Sequence, residues 1–365
     1  MTGYKRNGRT LNTKEPIDCY SKYVSHVYYC QAKDAEGLVQ LLLEKCIDSK
    51  QKVVIIPDSD FAAAFIDQYQ EQLTDYFLFP HIHHKPGAIL QWMDKVKQKE
   101  LAMEMGLNVA KTSVIGIKNK QFTIPLSINY PCFVKPKATI AGDKCLLRKC
   151  ENENELNEVL YEAGCMADMQ LLIEDFKKIE TEYAVVGFSD GKDVVIPGII
   201  QMLIVSQSRP GITLKGKILP LSGFEEVVSQ FKRYILNIGF VGLFDIDFYK
   251  SGGKFYFCEL NLRFGGSGYA MTKMDVNLPA MLVYAFTDGV CEDSSKEMRR
   301  EAEFINERLC VEDWYRGFLS TKDLKALLNS QCITLVRDLN DTQPMRILNH
   351  EIRIKRLKRI VNVFL

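Results

Sequence analysis

The chain has 365 residues, 47% of them hydrophobic and 25% charged, and its formal net charge at pH 7 is +1. This composition is ordinary for a globular protein with a substantial core, and the length suits two or three packed subdomains. A charge this close to zero, without a long basic stripe, argues against nucleic acid as a partner. The sequence contains no apolar run of about 18 residues and no apolar signal segment at its start, so we expect a cytoplasmic protein.

The cysteines and histidines favour structural roles. The eleven cysteines are an odd number without a C-x-x-C pair, and Cys132, Cys258 and Cys332 lie inside apolar runs. We therefore predict reduced core thiols. The run from His81 to His84 could ligate a metal, but no acidic residue or cysteine adjoins it. A structural or surface role is favoured over a metal site.

The first third of the chain has the pattern of an α/β protein. A short strand is predicted at 23–30 and another at 52–56, followed by a turn at Pro57 and an amphipathic helix at 61–73. A further helix, predicted at 90–105, ends at a glycine that can take the left-handed conformation.

The rest of the chain alternates short strands with helices. Polar turns separate the strands, which indicates an antiparallel sheet. Glycine and asparagine residues mark several helix ends. In chain order the predicted elements are strands at 131–136 and 145–148, a helix at 151–164, strands at 171–174, 182–188 and 194–204, and helices at 223–238 and 277–286.

The strongest signal is a predicted β-hairpin, whose two apolar runs alternate with period two and are joined by a Gly-Gly pair. If residues 252–254 form a three-residue loop, Asp247 lies opposite Glu259 on the same sheet face. The same register places Asp245 opposite Asn261. Three carboxylates and one amide then crowd together.

Such a cluster predicts a bound cation. Opposed like charges repel and raise one another's pKa, so a compensating cation or basic side chain is needed. Oxygen ligands without histidine or cysteine favour Mg²⁺ or Mn²⁺, and Mg²⁺ is usually shared with substrate phosphates, which points to a nucleotide. The alternative is a solvated hairpin with acidic outer positions. That alternative does not explain Arg263 or the glycine run that follows it.

The order of these parts resembles the ATP-grasp superfamily over residues of about 90–290. The run ELNLR, from Glu259 to Arg263, looks like the E-x-N-P-R signature of the family, with Leu262 in place of the usual proline. Asp247 stands where the family usually has its other metal-binding side chain. The resemblance therefore implies a metal site formed by Asp247, Glu259 and Asn261.

The resemblance also implies roles for residues outside the hairpin. Arg263 and Lys135 would act in catalysis, and the loop 138–143 would cover the phosphates with a single glycine, Gly142. Glu174, Asp175 and Phe176 would form the linker whose backbone reads adenine. The nucleotide-binding set is Lys95, Lys135, Gly142, Glu174, Asp175, Phe176 and Glu182, with Glu182 accepting the ribose hydroxyls, and the weaker substrate set is Arg209, Gly266 and Ser267.

The fold that this resemblance implies is an α/β (α+β) ATP-grasp fold, in which two α+β lobes grip ATP. A partial Rossmann-like domain would occupy residues 1–88, since its usual first strand and helix look abbreviated before Tyr20. The ATP-grasp domain would span 89–290, with the small lobe at about 110–175 and the large lobe at about 176–290. Residues 291–365 would form a C-terminal helical and strand extension.

The implied activity is that of a carboxylate-amine ligase of the D-aspartate ligase kind. A carboxylate attacks the γ-phosphoryl group of ATP, and an amine then displaces phosphate from the acyl phosphate. ATP and Mg²⁺ (or Mn²⁺) would be required, with a small carboxylate and an amine as substrates. The rivals are bicarbonate activation, as in carbamoyl-phosphate synthase, and a regulatory module that binds ATP without catalysis.

The C-terminal segment, residues 352–365, is a basic amphipathic helix. Docking on the protein core is the favoured interpretation, and peripheral contact with an anionic membrane is the alternative. The sequence does not determine the oligomeric state, and a homo-oligomer is one of the possibilities.

Overall fold

The structure is a computed structural model. It describes residues 2–5, 17–31, 35–137, 146–287 and 297–364. Gly142 and the rest of the predicted phosphate loop therefore lie outside the described residues. No helix in the described part of the chain is long and apolar enough to cross a membrane.

The N-terminal part contains two pairs of parallel strands with helices packed beside them. β1 pairs with β2, and β3 pairs with β4 across the helical crossover, which is the arrangement of a βαβ unit. The elements are β1 (Thr2–Lys5), a 3₁₀ turn (Ile17–Tyr20), β2 (Tyr28–Gln31), α1 (Ala35–Lys45), β3 (Val53–Val54), α2 (Asp60–Gln68), α3 (Gln70–Leu73), β4 (Phe77–Leu78) and β5 (His81–Ile82).

The helix predicted at 90–105 is two helices, α4 (Ala88–Trp92) and α5 (Lys95–Glu104). Asp94 causes the break, because its side chain accepts a hydrogen bond from Val96 N and so caps the start of α5. The single-helix prediction was wrong, since the apolar pattern continues across the cap. A short strand, β6 (Asn108–Val109), follows.

A four-stranded antiparallel sheet comes next, in the order β7-β10-β8-β9. One face of this sheet packs against α6 around fully buried residues such as Val134 and Leu156. The elements are β7 (Thr112–Ile117), β8 (Cys132–Pro136), β9 (Arg148–Cys150), α6 (Glu153–Met166) and β10 (Met169–Asp175).

The remaining elements build a large sheet and its helical cover. They are β11 (Thr181–Asp190), β12 (Val194–Val195), β13 (Ile199–Val205), β14 (Thr213–Leu219), α7 (Glu225–Ile238), β15 (Phe240–Ser251), β16 (Lys254–Asn261), α8 (Gly268–Thr272), α9 (Leu278–Phe286), β17 (Ala302–Ile305), α10 (Glu307–Tyr315), α11 (Thr321–Leu328), β18 (Ile333–Thr334) and α12 (Thr342–Phe364).

The large sheet has the order β18-β17-β14-β13-β11-β15-β16-β6, with β12 and β5 paired beside it. Alternate side chains of β11 and β15 point to opposite faces. One face, with Val185 and Ile246, packs against α7, and the other, with Val186 and Leu243, packs against α8 and α9. The domain boundaries stay a prediction, although β17 and β18 of the predicted extension belong to this sheet.

The turn of the acidic hairpin has two residues and not the predicted three. Ser251 pairs with Lys254, and Gly252 and Gly253 have φ values of 56° and 74°, as a type I′ turn requires. A β-bulge between Asp247 and Phe248 then shifts the register by one residue, because Phe248 pairs with Phe257 whereas Asp247 pairs with Glu259.

The C-terminal helix α12 is docked on the core through its first half. Leu348 is fully buried in a cluster that includes Trp314 of α10 and Leu214 of β14. Lys355 further along the helix forms a 3.0 Å ion pair with Glu312. These contacts dock α12 on the core as far as Lys355, and the interpretation of the segment beyond it stays a prediction.

Candidate active site

The acidic residues of the hairpin lie on the face of the large sheet opposite to α7. Asp245 pairs with Asn261 and Asp247 with Glu259, so the predicted opposition is confirmed. The reason differs from the one expected. The turn is one residue shorter than predicted, and the β-bulge at Cys258 adds one unpaired residue to β16, so the two differences cancel. A bulge commonly re-aims a side chain beside a functional site. Here it keeps Glu259 on the face of Asp247.

Helix α5 brings a lysine to this acidic row. The Gln98 side chain fixes the helix on β16, since its Oε1 accepts from Leu260 N at 2.9 Å and its Nε2 donates to Leu260 O at 2.8 Å. Lys95, at the start of the same helix, forms a 2.6 Å ion pair between its Nζ and Glu259 Oε2. Lys95 of the predicted nucleotide-binding set and Glu259 of the predicted metal site are therefore in contact.

Lys135 reaches the same region from the small sheet. Its Nζ lies 2.8 Å from Glu174 Oε1, and the same oxygen accepts a hydrogen bond from Lys99. Lys99 also donates to Thr112 Oγ1 at 2.8 Å. Lys99 and Lys135 are both buried, so α5 and the small sheet meet around a carboxylate held by two ammonium groups.

Arg263 lies at the other end of the acidic row. Its Nη1 is 3.4 Å from Asp245 Oδ2 and its Nε is 3.4 Å from Asp60 Oδ1, at the first residue of α2. Gly265 packs so closely on Asp245 that a Cβ there would collide with the carboxylate. The guanidinium is thus aimed by two carboxylates from separate parts of the chain.

The charges in this cluster are unevenly compensated. Burial and the carboxylates of Asp245 and Glu259 raise the pKa of Asp247 well above its ordinary value. Burial also raises the pKa of Asp245 to about 6, although Arg263 opposes the shift. Burial would raise the pKa of Glu259 too, but Lys95 and Lys135 lower it. The uncompensated negative charge is therefore concentrated at Asp245 and Asp247.

The donor set fits a hard divalent cation. Carboxylates outnumber cations in the cluster, and the buried Asp245 Oδ1 has no hydrogen-bond partner. Among the described residues no three His, Cys, Asp or Glu side chains are arranged as a metal site. The carboxylates of Asp247 and Glu259 and the amide of Asn261 form a donor set that is usual for Mg²⁺ that also binds phosphate. The carboxylates are Asp60, Glu174, Asp245, Asp247 and Glu259, and the cations are Lys95, Lys99, Lys135 and Arg263.

A groove of about 490 Å³ opens beside this cluster, between β11 and β13. Glu182 lies in its wall on the same sheet face as Asp247, because β11 pairs with β15 through Ala184 and Asp247. Burial raises the pKa of Glu182. Met202 and Leu203 contribute apolar side chains to the wall, and Glu180 lines the groove together with Glu182. The groove therefore combines apolar surface with polar groups, as small-molecule sites do.

The linker residues after Glu174 are already partly hydrogen-bonded. Asp175 N donates to Lys111 O at 2.9 Å, and Phe176 N donates to Pro131 O at 3.1 Å. Because these two N–H groups already donate to carbonyl oxygens, they are not available to bind adenine. The predicted contact with adenine would therefore have to use other backbone groups of the linker. The Glu174 side chain also has a role that was not predicted, because it forms ion pairs with the two buried lysines, Lys99 and Lys135.

The predicted substrate residues divide into two groups. Gly266 is exposed with open space around its Cα, and Ser267 begins α8 next to it, so both adjoin Arg263 in the chain. Arg209 is instead exposed in the turn after Val205. The turn is bonded to α10, because Asp313 accepts from Gln207 N and Ser208 N. The described contacts of Arg209 lie within its own turn, and its role as a substrate clamp stays a prediction.

Sequence reasoning missed Lys99, Asp60 and Gln98. Lys99 and Lys95 are four residues apart on one helix, which places them on one face. Asp60 follows the strand β3 at the start of a helix, a position where open α/β sheets often place functional groups. These signals could have identified Lys99 and Asp60. Gln98 gives no such signal, because its contacts with β16 are to the backbone of Leu260, 162 residues away.

The run from His81 to His84, for which a structural or surface role was favoured, forms no cluster of three metal-binding side chains among the described residues. The rings of His81 and His84 stack at 3.5 Å, and burial with the two neighbouring histidines lowers the pKa of His81 to about 4. Cys132 and Cys258 are free thiols in the structure, with pKa values that burial raises.

Comparison with known proteins matches residues 94–280 to the family described as carbamoyl-phosphate synthase L chain, ATP binding domain. The carbamoyl phosphate synthase large chain of Campylobacter jejuni is 28% identical over 176 residues, which is 47% of this chain and 16% of that protein. The D-aspartate ligase of Enterococcus faecium is 22% identical over 259 residues, 67% of this chain and 61% of that protein. The chain thus spans less than two thirds of either relative.

A solved structure gives the same fold. The biotin carboxylase domain of the 2-oxoglutarate carboxylase of Hydrogenobacter thermophilus, in complex with MgADP, ADP and bicarbonate, superposes with a TM-score of 0.61 at 20% identity. The match covers 79% of this chain and 66% of that one. The family match includes Lys95, Lys135, Glu259 and Arg263. The chain therefore belongs to the family of the carbamoyl-phosphate synthase L chain ATP-binding domain, and its fold is the ATP-grasp fold.

Proposed function

We propose that the chain is an ATP-dependent ligase that phosphorylates a small carboxylate and couples it to an amine. The observation that carries this proposal is the meeting of Lys95 with Glu259 at 2.6 Å on the sheet face that also holds Asp247 and Arg263. The proposed phosphate-binding lysine and the proposed metal-binding carboxylates are thus neighbours, which supports phosphoryl transfer as the reaction.

The lysines would bind the phosphates of ATP by exchanging partners. Lys95 and Lys135 are each paired with a carboxylate in the ligand-free chain. Both ammonium groups could turn to phosphate oxygens, since lysine is a compact, mobile cation. Asp247, Glu259 and Asn261 would hold Mg²⁺ (or Mn²⁺). Bound there, the ion would supply positive charge that offsets the charge on the phosphates.

The nucleoside would occupy the groove beside Glu182. A volume of about 490 Å³ is within the range of small-molecule sites. The Glu182 carboxylate supports hydrogen bonding to the ribose hydroxyls, and Met202 and Leu203 offer apolar surface to the base. The linker residues Glu174 to Phe176 would border the adenine.

Arg263 would act at the reacting centre. The substrate carboxylate oxygen attacks the γ-phosphorus and the bond to ADP breaks, which gives an acyl phosphate. The amine nitrogen then forms the C–N bond, loses a proton, and phosphate departs. A guanidinium held by Asp60 and Asp245 is suited to stabilise the charge on the transferred group. The Gly266 and Ser267 backbone adjoins it and would border the substrate.

Two observations bear on the choice between ligase and carbamoyl-phosphate synthase chemistry. The similarity to D-aspartate ligase extends over 67% of this chain, whereas that to the C. jejuni synthase extends over 47%. The synthase match favours bicarbonate activation as the second candidate, because the family match carries that name. The wider coverage supports the amine-dependent ligase as the first.

The proposal is tested by measuring ADP release with Mg²⁺ and ATP while carboxylic acids, amino acids and bicarbonate are supplied in turn. We expect turnover that depends on both an acid and an amine. Turnover with bicarbonate alone would establish the second candidate. Binding of ATP without turnover in any combination would contradict both and leave the regulatory module.

The remaining expectations concern partners and location. Small carboxylates and amines are the proposed substrates, and nucleic acid is not a proposed partner. Consumption of ATP supports a cytoplasmic location, which cell fractionation tests.

Contact with a membrane would need the end of α12, where Leu357 is 64% exposed beside Arg356 and Lys358. Deletion of residues 356–365 should abolish liposome co-sedimentation if this contact exists. A homo-oligomer stays a prediction.

A further inference from the structure

Two buried lysines share one carboxylate oxygen at the junction of α5 with the small sheet. Lys99 and Lys135 both contact Glu174 Oε1. The exposed fractions of the three side chains are 5%, 6% and 12% in the order Lys99, Lys135 and Glu174. One ammonium is enough to balance a buried carboxylate. A second one at the same oxygen can therefore leave without stranding an unpaired charge.

The two lysines differ in how firmly they are held. Lys99 lies within α5 and also donates to Thr112 Oγ1, whose hydroxyl donates in turn to Ala110 O at 2.8 Å. Lys135 lies next to the end of β8, and its one described ion pair is the contact with Glu174. Lys135 is consequently the lysine that is free to turn away.

On the basis of the function proposed above, we propose that Lys99 is a positioning residue that keeps Glu174 neutralised while Lys135 turns its ammonium to the phosphates of ATP. In this arrangement Lys99 acts through Glu174 and does not touch the nucleotide. Without Lys99, movement of Lys135 would leave a buried carboxylate without a cation, which is strongly unfavourable. Lys135 would then stay on Glu174 and ATP would bind less tightly.

The test is isothermal titration calorimetry of MgATP with the full chain. The variants are Lys99→Met, Lys99→Arg, Glu174→Gln and the double variant Lys99→Met with Glu174→Gln. Lys97→Met is the matched control, because Lys97 lies on the same helix but its ammonium lies 4.1 Å from the centre of the Trp92 ring. Thermal unfolding of each variant reports whether the fold is retained.

We expect Lys99→Met to raise the Kd for MgATP at least about tenfold, a loss of about 1.4 kcal/mol. Lys99→Arg, which keeps the cation, and Lys97→Met should stay within about threefold of the wild-type Kd. The double variant should bind as tightly as Glu174→Gln alone, since the neutral amide no longer needs a cation. A merely structural role for Lys99 would not produce this rescue.

The outcomes separate this inference from the proposed function. If the wild-type chain does not bind MgATP, the proposed function and the inference both fail. If the wild type binds and folded Lys99→Met binds equally well, the inference alone is wrong. Should Lys99→Met not fold, the double variant decides, because it carries no buried charge at residue 174. A double variant at least about tenfold weaker than Glu174→Gln would overturn the inference.

Discussion

Single residues in the site carry charges that stability alone would not select. Asp245 and Asp247 lie beside Glu259 in a half-buried row, and the nearby guanidinium of Arg263 is shared with Asp60. Such repulsion is tolerated where a ligand relieves it, and it lowers the stability of the ligand-free protein. An arrangement of charges that lowers stability is expected at a functional site.

Removal of one of these charges should stabilise the free chain and impair the reaction. Asp247→Asn keeps the shape of the side chain but removes the carboxylate whose pKa burial and Asp245 raise. We expect the melting temperature without ligand to rise by about 1–4 °C and ADP release to fall on the order of 100-fold. Scanning fluorimetry and the ADP assay measure the two effects. A lower melting temperature would contradict the proposed charge imbalance.

Asp60 should matter although it lies far from the family's signature residues in sequence. Its Oδ1 holds Arg263 Nε at 3.4 Å, so loss of the carboxylate should let the guanidinium shift. We expect Asp60→Ala to lower ADP release roughly 10–100-fold. Asp58→Ala is the matched control, because Asp58 is exposed two residues away. Equal activity of the two variants would show that Asp60 does not aim Arg263.

At the scale of elements, the acidic hairpin depends on its turn as much as on its strands. Gly252 and Gly253 both have positive φ, and the tight turn and the bulge together set which residues face Asp247. A register error of one residue would move Glu259 to the opposite face. The turn therefore helps to position the side chains of the site.

Substitution in this turn should reveal the backbone requirement. A β-branched residue is strained at the φ of 74° found for Gly253. We expect Gly253→Val to lower the free energy of unfolding by roughly 1–2 kcal/mol, measured by urea titration. Gly252→Asn should have a much smaller effect, because asparagine tolerates this region. Equal losses would argue against a type I′ turn.

At the scale of the whole molecule, buried carboxylates give the fold an unusual dependence on pH. Burial raises the pKa of Asp67 to about 6, despite the amides of Ile89, Leu90 and Gly87 that bond to it, and Asp245 behaves similarly. A raised pKa means that the folded chain binds a proton more tightly than the unfolded chain. The stabilisation is complete below about pH 4 and is lost as the pH rises through 6.

The pH effect can be isolated with Asp67→Asn. The free energy of unfolding of the wild type, relative to this variant, should fall by about 1–3 kcal/mol between pH 4 and pH 6.5. Urea titrations of both proteins across this range measure the difference. The opposite contribution of Asp338, whose pKa its hydrogen bond with Lys273 lowers to about 2, acts below pH 4. A difference that does not change with pH would refute the assignment.

Much of the fold could be predicted because local patterns determine it. Period-two alternation identified β11 and β15, and Gly239 marked the end of α7 with a φ of 71°. The break at Asp94 was missed, since a capping side chain interrupts a helix without interrupting the apolar pattern. The correct pairing of Asp247 with Glu259 came from two differences that cancelled, a shorter turn and a bulge.

The sequence by itself determined which side chains share a strand face, because alternation along a strand follows from backbone geometry alone. It also placed Lys95 and Lys99 on one side of a helix. Only the tertiary structure decided which charges meet. Lys99 and Glu174 are 75 residues apart, and Arg263 meets Asp60 from another part of the chain. Such pairs depend on how the sheets and helices pack, which no local pattern specifies.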